Sequence, residues 1–179
     1  MADLRQSNIL SRGIRNNNPL NLRVSANAWK GKVAVEHNAD PGKEFEQFVS
    51  IEYGIRAGAL NVINNIKNGH NTVRKLISRL SPPSENDTQT YIRVVAAKIG
   101  VSPDQTIFPD PFTIFKLVNA IIAQENLANE LYHIPASMVQ SGLKLLSEQV
   151  FTPQEKYGIS AVAAVGVGLA VYYLLNRNK

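Results

Sequence analysis

The sequence predicts a mainly α-helical (α+β) domain with a small β-region near its N-terminus and one transmembrane helix at its C-terminus. Three observations carry that class. Apolar residues recur at helical spacing in successive stretches between residues 50 and 150. Residues 20 to 50 hold short apolar or alternating runs separated by turn residues. From Tyr157 through Leu175 there is no charge at all. These divide the 179 residues into a domain at 1–150, a linker at 151–156, a transmembrane helix at 157–176 and a basic tail at 177–179. Met1 to Asn8 is polar and no apolar run follows, so no N-terminal signal peptide is expected.

The first distinctive stretch runs from Ser11 to Arg23 and has neither helix nor strand periodicity. Gly13 and the Asn run tolerate left-handed backbone, and Asn18 before Pro19 is pushed towards extended geometry. Asn16, Asn17, Asn18 and Asn21 bring amides together among Arg12, Arg15 and Arg23. Such a loop either bonds its own backbone or offers donors and acceptors to a polar polymer such as a glycan. The residues alone leave both open. After Trp29 and Gly31, Val33-Ala34-Val35 and the alternating Phe45 to Val49 read as two short strands, with Asp40-Pro41-Gly42 as the turn between them.

Helices follow. Ser50 is placed to cap one in which Ile55, Ala59, Val62, Ile63 and Ile66 share a face, ending at Asn68-Gly69. Asn71 or Thr72 opens a shorter one through Leu80, stopped by Pro82-Pro83. Asn86 or Asp87 caps the next, which carries Tyr91, Val94, Val95 and Ile99 to Gly100. Pro103, Pro109 and Pro111 make the following connection irregular. A further helix carries Phe115, Val118, Ile121, Ile122 and Glu125, and Met138 to Val150 has the pattern of one more. Ile159 to Leu175 is apolar or small all round. Its length, roughly 25 Å at about 1.5 Å per residue, approaches the hydrocarbon core once Tyr157 and Gly158 are added. Tyr172 and Tyr173, the Ala164 and Gly168 spacing and the cationic tail complete the membrane reading.

Composition excludes several classes. Without cysteine there are neither disulfides nor thiolate metal sites, and His37, His70 and His133 are scattered, so no metal is expected. There is no Gly-rich phosphate loop and no nucleophile-elbow pattern, so no cofactor is expected. The net charge is +5, and +3 without Arg177 and Lys179. That mild excess suits a cell-wall glycan, a phosphate or a lipid head group, and is too thin for nucleic acid. Carboxylates remain as candidates for chemistry. Glu125 shares a helix face with Phe115, Val118, Ile121 and Ile122. There it is either a partly desolvated general acid with a raised pKa, or a rim residue paired with an Arg. Glu85, Asp87 and Glu52 are most simply helix-start residues.

The run Arg12 to Pro19, with Trp29-Lys30-Gly31, Phe45 to Ser50 and Glu52 to Ala57, resembles a family of phage virion-associated peptidoglycan hydrolases. These are lysozyme-like proteins of the lytic transglycosylase or glucosaminidase type. Pro82 to Thr88 with Tyr91, and Ala120 to Asn126, extend the resemblance over about residues 11 to 145. Leu20 and Leu127 depart from it, because the family more often has Gly at both. The same segments resemble the glucosaminidase branch in a different order, with the Glu-bearing helix last instead of first, which implies a circular permutation. On this resemblance Glu125 is the catalytic acid and Glu85 the candidate second carboxylate. On the same resemblance Asn18 and Asn21 orient sugar N-acetyl groups, Tyr91 or Trp29 stacks on a ring, and Asn17 is a further substrate-binding residue. The implied protein is a membrane-anchored, single-pass enzyme of a phage virion with an internal membrane. It would cleave peptidoglycan in the host periplasm during genome delivery or lysis, with the membrane and other virion proteins as partners. A non-catalytic virion membrane protein that binds the wall, and a bacterial wall-remodelling enzyme, are the rival readings.

Overall fold

The computed structural model describes residues 10–82, 87–126, 133–146 and 150–151. Six α-helices occur among them: α1 (Arg12–Arg15), α2 (Ile51–Lys67), α3 (Val73–Leu80), α4 (Thr88–Ile99), α5 (Pro111–Glu125) and α6 (Ala136–Lys144). The core forms where α2 and α5 meet. α5 packs on α2, α4 and α6, while α3 joins α2 to α4. Ile114, Leu117, Val118 and Ile121 of α5 are enclosed by Ile55 and Ile63 of α2, Leu76 and Ile77 of α3, Ile92 and Val95 of α4 and Val139 of α6. Each such side chain contributes on the order of 2 kcal/mol through apolar burial, which is why the helical periodicity of the sequence is obeyed.

Helix ends follow local chemistry. Thr72 accepts from the Lys75 N–H, Asp87 from that of Thr90, and Asp110 from those of Phe112 and Thr113, so three starts have side-chain caps. Ser50 stands at the start of α2 and its side chain makes no cap bond, although its carbonyl accepts from the Gly54 N–H. Two starts and ends differ from expectation. The Asn loop begins with one helical turn, α1, and α6 starts at Ala136 rather than Met138 and stops at Lys144.

The expected β-region is corrected. Among the described residues it consists of isolated bridges, Arg23 with Phe45 and Lys32 with Phe48, broken by 3-10 turns at Val35–His37 and Pro41–Lys43. The alternation of Phe45 to Val49 does not divide an inner face from an outer one. Glu46 and Gln47 are both buried, and Val49 is exposed. Side chains replace the missing ladder. Asn18 is fully buried, donates from Nδ2 to the Leu22 and Glu46 carbonyls and accepts from the Leu22 N–H through Oδ1, each at 2.9 Å. Glu46 accepts from Lys32 Nζ at 2.9 Å and from Ser25.

The membrane-spanning expectation is corrected as well. Among the described residues no helix is long and apolar enough to cross a membrane. The longest, α2, is amphipathic and carries Glu52, Arg56 and Lys67, so its apolar residues form a stripe towards the core. The stretch 157–176, where the span was expected, lies outside the described residues.

Asp40 anchors the N-terminal region. Its buried carboxylate accepts from Arg12 Nε (2.7 Å), Arg12 Nη2 (2.9 Å) and Asn16 Nδ2 (2.8 Å). Burial by itself would push this carboxyl up. The hydrogen bonds from Arg12, Asn16 and the Phe45 N–H outweigh it and hold the group below its ordinary value. A depressed folded-state pKa stabilises the fold above the unfolded value of about 3.9, and that stabilisation is lost as pH falls through the folded value. Asp40→Asn should therefore lower the thermal midpoint at neutral pH, corresponding to about 3 kcal/mol. The gap from wild type should begin to narrow as pH falls below about 4 and close only once pH passes the depressed folded-state value, as thermal melts across a pH series will read. Asn18→Ala, which strands the Glu46 carbonyl and the Leu22 N–H while the Leu22 carbonyl keeps the Glu46 N–H, should cost about 3 kcal/mol in denaturant unfolding at any pH.

Candidate functional site

The loop after α1 reaches the ends of α2 and α5 because small residues let its backbone approach. A Cβ built on Gly54 would lie 1.8 Å from the Asn17 carbonyl oxygen, and one on Gly58 would lie 2.6 Å from the Leu20 side chain. Asn126, immediately after α5, donates to the Pro19 carbonyl (3.0 Å) and accepts from Ser11 Oγ (2.6 Å). Asn17 and Asn21 both adopt positive φ, 51° and 49°, which Asn tolerates better than other side chains with a Cβ.

This docking brings three of the sequence-derived candidates together. Asn21 Nδ2 donates to Glu125 Oε2 at 2.7 Å, and the Tyr91 hydroxyl donates to Glu125 Oε1 at 2.7 Å. Glu125, the last residue of α5, is half-buried and held by two uncharged donors rather than by an Arg. Tyr91 is 6% exposed. Burial first, then the Glu125 charge and its hydrogen bond, push the phenol well above its ordinary value, so it remains a donor throughout the working pH range.

Glu125 lies in the wall of a cleft of about 520 Å³, a volume typical of small-ligand sites. Asn21, Arg23, Phe45, Asn61, Asn65, Arg79, Ser81 and Tyr91 also line it, with Leu20, Val62 and Ile121 among the apolar residues. Such a surface offers amide donors and acceptors, two aromatic rings and, among the described residues, a single carboxylate. That composition matches a polar, ring-bearing ligand. Among the described residues, no three of His, Cys, Asp and Glu come together to hold a metal ion.

The other candidates stand elsewhere. Asn18 bonds backbone, as above, and Asn17 Nδ2 donates to the Phe48 carbonyl at 3.0 Å. Trp29 and Tyr53 pack on a small cluster of Leu22, Phe48 and Ala57; Leu22 of that cluster lines the cleft, and Trp29 does not. Those three residues organise the loop region. Glu85 lies outside the described residues. Asn61, Asn65 and Arg79 were not singled out from sequence, although a signal existed. Gly58, Asn61 and Asn65 stand at i, i+3 and i+7, a small and polar stripe inside an otherwise apolar helix pattern.

No family model matches the chain. Over 129 residues it is 36% identical to Protein P5 of Pseudoalteromonas phage PM2, an alignment covering 69% of this chain and 76% of the relative. The chain belongs to the Protein P5 family. A phage relative supplies the coarse part of the expected location, and single-pass anchoring has no membrane-length helix behind it among the described residues.

The Tyr91–Glu125 bond can be measured. In a double-mutant cycle of Tyr91→Phe and Glu125→Ala, thermal or denaturant unfolding should give a coupling of about 1 kcal/mol. Strict additivity would mean that the two groups do not interact.

Proposed function

We propose that this member of the Protein P5 family cleaves the glycan strands of bacterial peptidoglycan, with Glu125 as its principal acid, in the manner of a lytic transglycosylase. The observation that carries the reading is the convergence of Asn21, Tyr91 and Glu125 on one polar cleft. The resemblance of residues 11 to 145 to lysozyme-like virion enzymes, Glu-bearing helix last, supports it independently. Membership in a phage family supports a role on the virion, in genome delivery or in lysis, with the cell wall and other virion proteins as partners.

The chemistry follows from the donors. Glu125 gives its proton to the glycosidic oxygen as the bond from that oxygen to the muramyl anomeric carbon breaks. The carboxylate so formed gains charge where the Asn21 amide and the Tyr91 hydroxyl already point, so both hydrogen bonds strengthen as the reaction proceeds. The muramyl 6-hydroxyl then attacks the anomeric carbon, and its proton returns to Glu125. Among the described residues Glu125 is the one carboxylate lining the cleft. A nucleophile supplied by the substrate itself removes the need for the second carboxylate that a hydrolase of the inverting type requires.

Product analysis tests this. Purified peptidoglycan treated with the full chain should yield 1,6-anhydro-muramyl ends. Glu125→Gln should slow their release by about 10² to 10⁴ while leaving the fold intact. Reducing muramyl ends would assign hydrolysis instead, and wall binding without any product would make the protein a non-catalytic virion component.

A further inference from the structure

Two guanidinium groups in the cleft take no part in the cleavage step. Arg23 follows directly on the Asn loop and lies over the Phe45 ring, 5.3 Å from its centroid. Arg79 belongs to the last turn of α3. Both are exposed, and both line the same cleft as Glu125. The ionisable side chains of that lining therefore carry a net positive charge, although its acidic residue is the proposed catalytic one. Among the described residues, no carboxylate forms an ion pair with Arg79. Asn61 and Asn65 provide neutral donors and acceptors on the α2 side, so contacts to uncharged sugar groups do not depend on the arginines.

A guanidinium presents a planar fork of N–H groups that matches a carboxylate in two parallel bonds. Stacking on Phe45 restricts Arg23 and lowers the entropy lost when it engages a ligand. On a peptidoglycan strand every second sugar bears a lactyl group ending in a carboxyl, either free or amide-linked to a peptide. We propose that Arg79 and Arg23 make this cleft selective for glycan strands with free carboxylates over neutral strands of the same backbone. The proposal rests on the glycan reading of the cleft and adds charge selection to it.

The test uses the full chain carrying Glu125→Gln, so that strands bind without turnover. Isothermal titration compares three probes: N-acetylglucosamine oligosaccharides, peptide-free glycan strands with free lactyl carboxylates, and the same strands with those carboxylates converted to primary amides. Carboxylated strands should bind about tenfold more tightly than either neutral probe, and less so as salt is raised. Adding Arg79→Gln and Arg23→Gln should abolish that preference, so that carboxylated and amidated strands bind equally and still measurably. If the double substitution disturbs folding, Arg79→Gln alone should remove part of the preference. Equal binding of carboxylated and amidated strands, or a preference that survives both substitutions, overturns the proposal and leaves the cleft a glycan site. Failure of all three probes to bind overturns the glycan reading, and the proposal with it.

Discussion

Everything at the candidate site depends on how closely the backbone of the Asn loop can approach α2. The Asn17 carbonyl lies where a side chain at residue 54 would have to be, and Leu20 fills the space left by Gly58. Those contacts fix the height of the loop above the helix, and Asn126 fixes its far end through the Pro19 carbonyl. Asn21 is thereby carried to Glu125, 104 positions later in the chain. Two residues at positive φ, Asn17 and Asn21, are the cost, of order 1 kcal/mol each for a residue with a Cβ, and the bonds their amides make offset it.

The segment between the loop and α2 solves a related problem by different means. It has little apolar surface to bury and no continuous ladder, so its backbone groups are satisfied by buried polar side chains. Asn18, Asn38, Asp40 and Glu46 each bond main-chain groups from inside. Such networks are strong when complete, and each lost member leaves a desolvated partner behind. Glu46 is sheltered from water yet held by Lys32, and Arg12 does the same for Asp40 while stacking 4.4 Å above Phe45. The loop region is thus rigid without being a sheet. That framework is what carries the Asn21 amide to the carboxylate.

The helical body sets the other half of the geometry. Tyr91 lies one turn into α4 and Glu125 at the end of α5, and the packing of these two helices brings them within 2.7 Å. A buried phenol that keeps its proton and a half-exposed carboxylate make an asymmetric pair, in which one partner only positions and the other can exchange protons with a ligand. The cleft beyond them is polar along α2 and the end of α3.

By itself the sequence determined the helices, because their signals are local. The Ile55 to Ile66 stripe, the Thr72 and Asp87 caps and the prolines before α5 act within one or two turns, and burial rewarded the pattern they set. Local pattern marked Glu125 as a carboxylate on an apolar helix face, while Asn21 and Tyr91 entered only through the resemblance, together with Glu85, Asn17, Asn18 and Trp29. Tertiary structure decided which of the clustered amides face the cleft. Asn17, Asn18 and Asn21 are equivalent on paper, and only the docking against Gly54 and Gly58 turns Asn18 inward to backbone and Asn21 outward to Glu125. It likewise converted the two expected strands into bridges and placed Trp29 on the cluster of Leu22, Phe48 and Ala57. Contacts between residues far apart in sequence override a local alternation here, with Ser25 and Lys32 holding one oxygen of the buried Glu46 carboxylate, because a short strand has too little pairing of its own to set its faces.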